Sequence, residues 1–231
     1  MIMDYAMTGN RKQSVVIVAG GLGIRAGREL PKQFVEIGGK PMMMHTIEVF
    51  FRYNSQMKIV VVLHPDYRDL WTQLRRIHDF HIPHLVADGG ETRFHSVKNG
   101  LSLIEDDEIV AIHDAARPFV APYVIENAFE EVSRHHCGVI PVVDEKNSVR
   151  MIFSGGSKSV DRSLLKLVQT PQVFPANLLK KAYHTEYNDS FTDDATVAEA
   201  AGVEIHLIAG NEENLKITTS IDFKFAETLL K

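Results

Sequence analysis

The chain has 231 residues, 45% of them hydrophobic, and a formal net charge of −5. That length and apolar fraction suffice for a buried core, while the negative balance excludes general affinity for nucleic acid and confines the cations to local work. The single cysteine, Cys137, excludes an internal disulfide framework and suits a reducing cytoplasm, and no apolar run approaches membrane-spanning length.

Residues 1–13 lack the apolar core of a signal peptide and read as an N-terminal tail. The β-branched run over 15–19 reads as a first strand. It ends in a glycine-rich turn, Gly20, Gly21 and Gly23, followed by Arg25 and by Lys32 within Pro31-Lys32-Gln33. Glycines let the backbone approach a ligand closely and aim N–H groups at phosphate oxygens. Two cations at fixed offsets supply the charge that a nucleoside triphosphate needs neutralised. Gly21-x-Gly23-x-x-Ala26 mimics a dinucleotide-binding turn. That motif, however, needs a helix opening directly on the turn and an acid about 20 residues on. Here residues 25–39 are polar and read as a long loop, which argues against a dehydrogenase. No G-x-x-x-x-G-K-[ST] loop occurs either.

A helix is expected over 41–53, with Met42, Met43, His45, Thr46, Val49 and Phe50 facing inward. A second strand spans 58–63, and Pro65 opens a helix toward His78 at a position where a missing N–H costs little. A short strand over 84–87 leads into the loop Asp88-Gly89-Gly90-Glu91, and a helix follows over 93–104. The strand over 109–113 ends in Asp114-Ala115-Ala116-Arg117-Pro118. A helix over 122–135 and a strand over 138–143 complete the succession. Such alternation predicts an α/β fold, a mostly parallel sheet flanked by helices.

The pattern breaks at Asp144. Residues 144–163 are polar, with one β-like stretch over 148–153, and read as a protruding β-arm on a single domain spanning 14–231. Regular patterning returns over 165–169. Helices are expected over 175–186 and 193–201, strands over 204–209 and 215–218, and a terminal helix from Ser220.

In open α/β sheets ligands bind beyond the carboxyl ends of the strands. Four loops qualify: 20–32, 88–91, 113–118 and 210–216. Asp114 is a hard oxygen ligand suited to magnesium, and an alternating strand end would throw Lys216 to one face. Cations, one carboxylate and glycine turns together describe a magnesium-triphosphate site. No Ser-His-Asp or Cys-His arrangement is evident. His78, His81 and His84 lack a nearby carboxylate or thiolate and are not read as a metal site. Met42 to Met44 read as core filler, Cys137 as a buried small hydrophobe, and Asp193-Asp194 as helix caps.

Five motifs occur in order: AGGLGIRAGRELPKQF (19–34), HDAARP (113–118), VDR (160–162), QTPQVF (169–174) and NLKIT (214–218). Together, over roughly residues 15–230, the chain resembles the 2-C-methyl-D-erythritol 4-phosphate cytidylyltransferases. The resemblance implies a Rossmann-like domain that transfers a cytidylyl group from CTP to 2-C-methyl-D-erythritol 4-phosphate, releasing pyrophosphate. It implies catalytic roles for Arg25, Lys32 and Lys216, and nucleotide contacts for Ala19, Gly20, Gly21, Gly23, Gly90, Glu91 and Ser96. Magnesium would sit on Asp114, Arg162 and Thr170 would touch the polyol phosphate, and the acidic pair Asp193-Asp194 would lie near the site edge. The arm over about 144–163 would make a cytoplasmic homodimer. The expected nucleophile is a phosphate monoester, already largely dianionic because its second pKa is about 6, so no general base is required. The task reduces to positioning and charge stabilisation. One departure stands out. Where the family often has Asp followed by a hydroxyl residue, this chain has Asp144-Glu145-Lys146. That keeps another acceptor, such as ribitol 5-phosphate, open. A non-catalytic nucleotide-binding regulator is the alternative of another class, against which the intact Arg25, Lys32, Asp114 and Lys216 argue.

Overall fold

The computed structural model describes residues 11–20 and 30–230. In chain order the elements are β1 (Gln13–Ala19), β2 (Glu36–Ile37), β3 (Lys40–Pro41), α1 (Met42–Tyr53), β4 (Lys58–Leu63), α2 (Arg68–Ile77), β5 (Leu85–Asp88) and α3 (Arg93–Leu101). Then follow β6 (Ile109–Asp114), α4 (Pro122–His135), β7 (Gly138–Asp144), β8 (Val149–Phe153), β9 (Gly156–Val160), β10 (Lys166–Val168) and β11 (Gln172–Pro175). The chain ends with α5 (Ala176–Ala182), α6 (Asp194–Ala200), β12 (Ile205–Ala209) and α7 (Ser220–Leu229).

One main sheet runs β10-β7-β11-β6-β1-β4-β5, with β12 on the other side of β7. Strands β1, β4, β5 and β6 pair in parallel, as do β7 and β12. The expected α/β architecture is therefore present. Strands β1, β4 and β6 are covered on both faces, which explains their nearly unbroken apolar runs. Successive residues of β1 feed opposite layers. Val15 and Ile17 pack with Phe34, Phe50, Trp71 and Phe129, whereas Val16 packs with Val62, Phe94 and Tyr183. A third, small cluster joins Ile37, Met42, Ala116, Ile217 and Ala226, and so ties α7 to the underside of two predicted site loops.

Several expectations need correction. In α1, Met42, Met43, Thr46 and Phe50 are buried as expected, but so are Met44 and Ile47, while His45 and Val49 are only half-buried. The β2–β3 hairpin lies beside this helix, and Ile37 O engages His45 Nε2 at 2.8 Å, so a polar group stands where an inward face was expected. The described part of the 25–39 loop holds a turn over Lys32–Phe34 and strand β2, which begins that hairpin. The arm has a second strand, β9, whose sequence GSKSV carries no apolar alternation to announce it. The sheet is also mixed: β10 and β11 run antiparallel to β7, and β11 is wedged between β6 and β7. The helix expected over 175–186 ends at Ala182. No strand forms over 215–218; instead Ile217 N–H donates to Ala116 O at 2.9 Å and tethers that segment to the loop after β6. Among the described residues, no helix is long and apolar enough to cross a membrane.

Candidate active site

Parallel register brings the carboxyl ends of four strands together. Ala19 pairs with Leu63, Leu63 with Asp88, and Val18 with Asp114. Gly89 N–H donates to Leu63 O at 2.6 Å, and Ala115 N–H to Val18 O at 3.1 Å, so the loops after β5 and β6 start from the same edge.

The floor of this edge is made by glycine contact. A Cβ on Gly20 would stand 2.6 Å from Ser96 Oγ and 3.3 Å from the Gly89 Cα. Two backbones and a buried hydroxyl meet there, and only glycine fits. Ser96 Oγ accepts from Gly90 N–H and donates to Thr92 O, each at 3.0 Å. Its hydroxyl thus shapes the 89–92 loop, and the side chain is only 2% exposed. Glu91, beside it, is exposed. On the opposite flank the buried Gln33 donates to Ala19 O at 2.9 Å, which fixes the end of β1.

Beside this floor lies a charged cluster. Asp114 Oδ2 receives Lys216 Nζ at 3.0 Å and Arg117 Nε at 3.3 Å, while Arg93 Nε stands 3.6 Å from Oδ1. Burial alone would raise the Asp114 pKa. Arg93, Lys216 and Arg117 outweigh it and hold the carboxyl well below the usual carboxylate range. Lys32 Nζ donates to Ile217 O at 3.4 Å, so a third predicted residue joins Asp114 and Lys216. Arg117 extends the cluster with a 2.7 Å bond to Asn214 O, and Asn214 Nδ2 in turn donates to Thr170 O at 2.8 Å.

Thr170 Oγ1 accepts from Asp114 N–H at 3.1 Å and lies 3.0 Å from His113 Nδ1. His113 Nε2 is 2.9 Å from Arg117 O. The network assigns one arrangement: Thr170 donates to a neutral imidazole, whose Nε2–H donates to Arg117 O. Burial, opposed by that bond, pushes the His113 pKa down to about 4, so the ring stays neutral. The Thr170 hydroxyl is therefore engaged twice within the chain.

Lys32, Asp114, Thr170 and Lys216 form one network, and Ala19, Gly20, Gly90 and Ser96 form the floor next to it. Gly21, Gly23 and Arg25 lie outside the described residues. Arg162 belongs to the arm, where it donates to Lys146 O at 2.5 Å. Glu145 Oε1 accepts from Asn147 N–H at 2.6 Å, so its carboxylate folds onto its own turn.

Sequence reasoning assigned no role to Arg93, Arg117 or Gln33. Arg93 had left one signal. It occupies the first turn of α3, directly after the Thr92 cap, where a cation opposes the helix dipole. Its charge must therefore be matched elsewhere, and the match is Asp194, at 3.0 and 2.6 Å. Asp193 caps α6 as expected, whereas Asp194 does not cap; it is fully buried against Arg93 and Tyr183.

A magnesium ion keeps several waters and takes one or two carboxylates plus phosphate oxygens. Asp114 fits that use. Lys216 and Arg117 make their shortest contacts to Oδ2, while Arg93 comes no nearer than Nε at 3.6 Å from Oδ1, beyond hydrogen-bond range. The remaining cations suit the other phosphate oxygens. Such an array can bind a polyphosphate and stabilise charge at one phosphorus.

The family model described as 2-C-methyl-D-erythritol 4-phosphate cytidylyltransferase matches residues 13–231. A protein of that name from Bacteroides thetaiotaomicron is 53% identical over 219 residues, covering 95% of this chain and all of the relative. A crystal structure of a 4-diphosphocytidyl-2C-methyl-D-erythritol synthase superposes with a TM-score of 0.79 at 31% identity, covering 96% of this chain and 100% of that one. The Francisella tularensis 2-C-methyl-D-erythritol 4-phosphate cytidylyltransferase gives a TM-score of 0.77 at 30% identity, covering 94% and 99%.

Proposed function

The chain belongs to the 2-C-methyl-D-erythritol 4-phosphate cytidylyltransferase family, and from that membership, with the CTP-dependent cytidylyl transfer it carries, we propose how its residues divide the work. The family match and relatives of half-identical sequence favour this enzyme over a dehydrogenase, a ribitol 5-phosphate enzyme or a silent regulator.

An oxygen of the acceptor's phosphate attacks the α-phosphorus of CTP, and the bond to the β-phosphate oxygen breaks to release pyrophosphate. Both reactants are anions, so the protein's part is to hold them in line and absorb charge. Lys216 and Lys32, with Arg25, neutralise the α-phosphate region. Ala19 and Gly20 carry the nucleotide along the floor, with Gly21 and Gly23 assigned to the same task from the sequence, while Gly90 and Glu91 meet the base and Ser96 keeps their loop in shape. Asp114 would hold magnesium together with the triphosphate, and the ion, when bound, would supply further positive charge to it. Thr170 orients Asp114 at the acceptor side.

One observation carries this reading: a buried carboxylate clamped by three cations at the strand edge, next to a floor that admits only glycine. The hydrogen bond from Asn147 N–H to Glu145 Oε1 supports a reading in which that carboxylate serves its own turn rather than the acceptor.

The arm supports a homodimer. It and its root expose Met151, Ile152, Phe153, Leu164, Leu167 and Val168, a run of apolar side chains that a second copy would cover. Arg162, on the arm, would then contact the acceptor phosphate of the partner's site. A lone, buried Cys137 supports a cytoplasmic setting. Pyrophosphate release, measured with CTP, magnesium and a panel of polyol phosphates, tests the whole reading. Turnover is expected with 2-C-methyl-D-erythritol 4-phosphate and loss of it without divalent cation. Exclusive use of ribitol 5-phosphate, or indifference to the cation, would overturn it.

A further inference from the structure

Arg93 and Asp194 are 101 positions apart in sequence, yet Asp194 takes both terminal nitrogens of the guanidinium. Asp194 is itself immobilised. It is fully buried, accepts from Tyr183 Oη at 2.7 Å, and follows Asp193, whose capping box with Thr196 fixes the start of α6. Gln172 strengthens that anchor, donating to Asp193 Oδ2 and accepting from Ala195 N–H, both at 2.8 Å. Desolvation opposes the Arg93 charge, but Asp194 and Asp114 outweigh it and keep the guanidinium firmly protonated.

Arginine and carboxylate prefer a two-pronged, parallel pairing. With its fork held by Asp194, Arg93 comes no nearer to Asp114 than Nε at 3.6 Å from Oδ1. Were the fork released, the nearest carboxylate would be Asp114, and two-pronged pairing would occupy Oδ1. We propose that Asp194 is a positioning residue for the metal-binding carboxylate: by holding the Arg93 fork, it keeps Asp114 Oδ1 available to a divalent cation. This rests on the reading of Asp114 as the magnesium ligand. It assigns a role in the site to an acid on α6 that has no contact with Asp114.

The test reads manganese binding to the full-length protein in the presence of CTP, by calorimetry and by the electron-spin signal of free manganese, so it does not depend on turnover. D194N is expected to weaken manganese binding by about 10- to 100-fold, the range seen when partners behind metal ligands are removed. Removing the fork as well, in R93K/D194N, should restore the binding. A merely charge-neutralising Asp194 also predicts weaker binding in D194N, because Arg93 loses its counter-charge, but it predicts no recovery in R93K/D194N, which keeps the charge and loses the fork; unchanged manganese affinity in D194N, or failure of R93K/D194N to recover, would overturn the proposal. If D194N does not fold, Y183F loosens Asp194 more gently and is expected to weaken manganese binding in the same direction; no change there would count equally against the idea. D114N separates the two levels. Loss of manganese binding in D114N with none in D194N removes this proposal alone. Retention in D114N removes the magnesium assignment and this proposal with it.

Discussion

Asp114 keeps its charge at a nearly dry strand end because Arg93, Lys216 and Arg117 surround it. The same cations leave the site poised for anions. Lys216→Ala should therefore lower kcat by about 100- to 1000-fold, as deletion of one preorganised charge donor does, with a much smaller effect on KM for CTP. Steady-state kinetics with both substrates varied checks this, and near-wild-type kcat would remove Lys216 from the reacting centre. His113 makes a separate prediction about pH. Its pKa falls from an ordinary 6.5 to about 4 on folding, because burial disfavours the imidazolium. Between those values the unfolded chain holds a proton that the native state refuses, so stability is complete above the upper value and is lost as pH falls toward the lower one. The loss amounts to on the order of 3 kcal/mol. Urea midpoints measured at about pH 7 and about pH 5 should fall with acid, and the fall should be smaller in His113→Gln, which lacks the titrating ring.

At the level of elements, α3 shows packing overruling propensity. Gly100 sits inside this helix, where alanine would be favoured by about 1 kcal/mol. A Cβ there would stand 2.4 Å from Val16 Cγ1 and 2.9 Å from Val62 Cγ2, the side chains of two central strands. Gly100→Ala should thus destabilise the protein by about 1–3 kcal/mol despite its better helix propensity; thermal denaturation gives the sign. The elements themselves were largely legible. Strands β1, β4 and β6 announce themselves as unbroken apolar runs, and α4 opens at Pro122 and closes at His135 as its pattern predicts. Strand β11 was hidden, because its four residues precede a helix and read as its lead-in. Strand β9 was hidden because an exposed two-stranded arm needs no apolar alternation. Within the site, Asp114 was legible from its place at a strand end, whereas the strand expected to present Lys216 does not form, and the tether of Ile217 N–H to Ala116 O brings that lysine to the site instead. The pairing of Arg93 with Asp194 was not legible, because no local rule links residues so far apart in the chain.

At the scale of the molecule, the arm is its least self-sufficient part. Ile152 is 76% exposed and Leu164 79%, so the other described residues leave them largely uncovered. On the proposed homodimer, Ile152→Asp should shift the protein toward monomer in sedimentation and lower activity in parallel, because the proposed reach of Arg162 into a partner's acceptor site would be lost. If Arg162 has the acceptor role proposed for it, KM for the polyol phosphate should rise in Arg162→Ala while KM for CTP changes little, since one charged acceptor contact would be lost. A fully active monomer would sever the link between assembly and catalysis.

The small third cluster under the site carries a consequence for time rather than for structure. Helix α7 buries only one of its side chains, Ala226, and is fastened further by Glu227 accepting from Gly38 N–H at 3.0 Å. The same cluster seats Ile217, whose carbonyl holds Lys32 and whose neighbour is Lys216. A peripheral helix with one fully buried side chain, and with Phe223 half-buried against the same cluster, opens at lower free energy than the central strands. Amides of 220–229 should therefore exchange hydrogen for deuterium long before those of β1 and β6, and bound CTP with magnesium should slow them although α7 is not assigned a contact with the nucleotide. The terminal helix then sets how often the two lysines are in place, a clock for the electrostatics of the site; equal protection of α7 and β1 in the free protein would stop it.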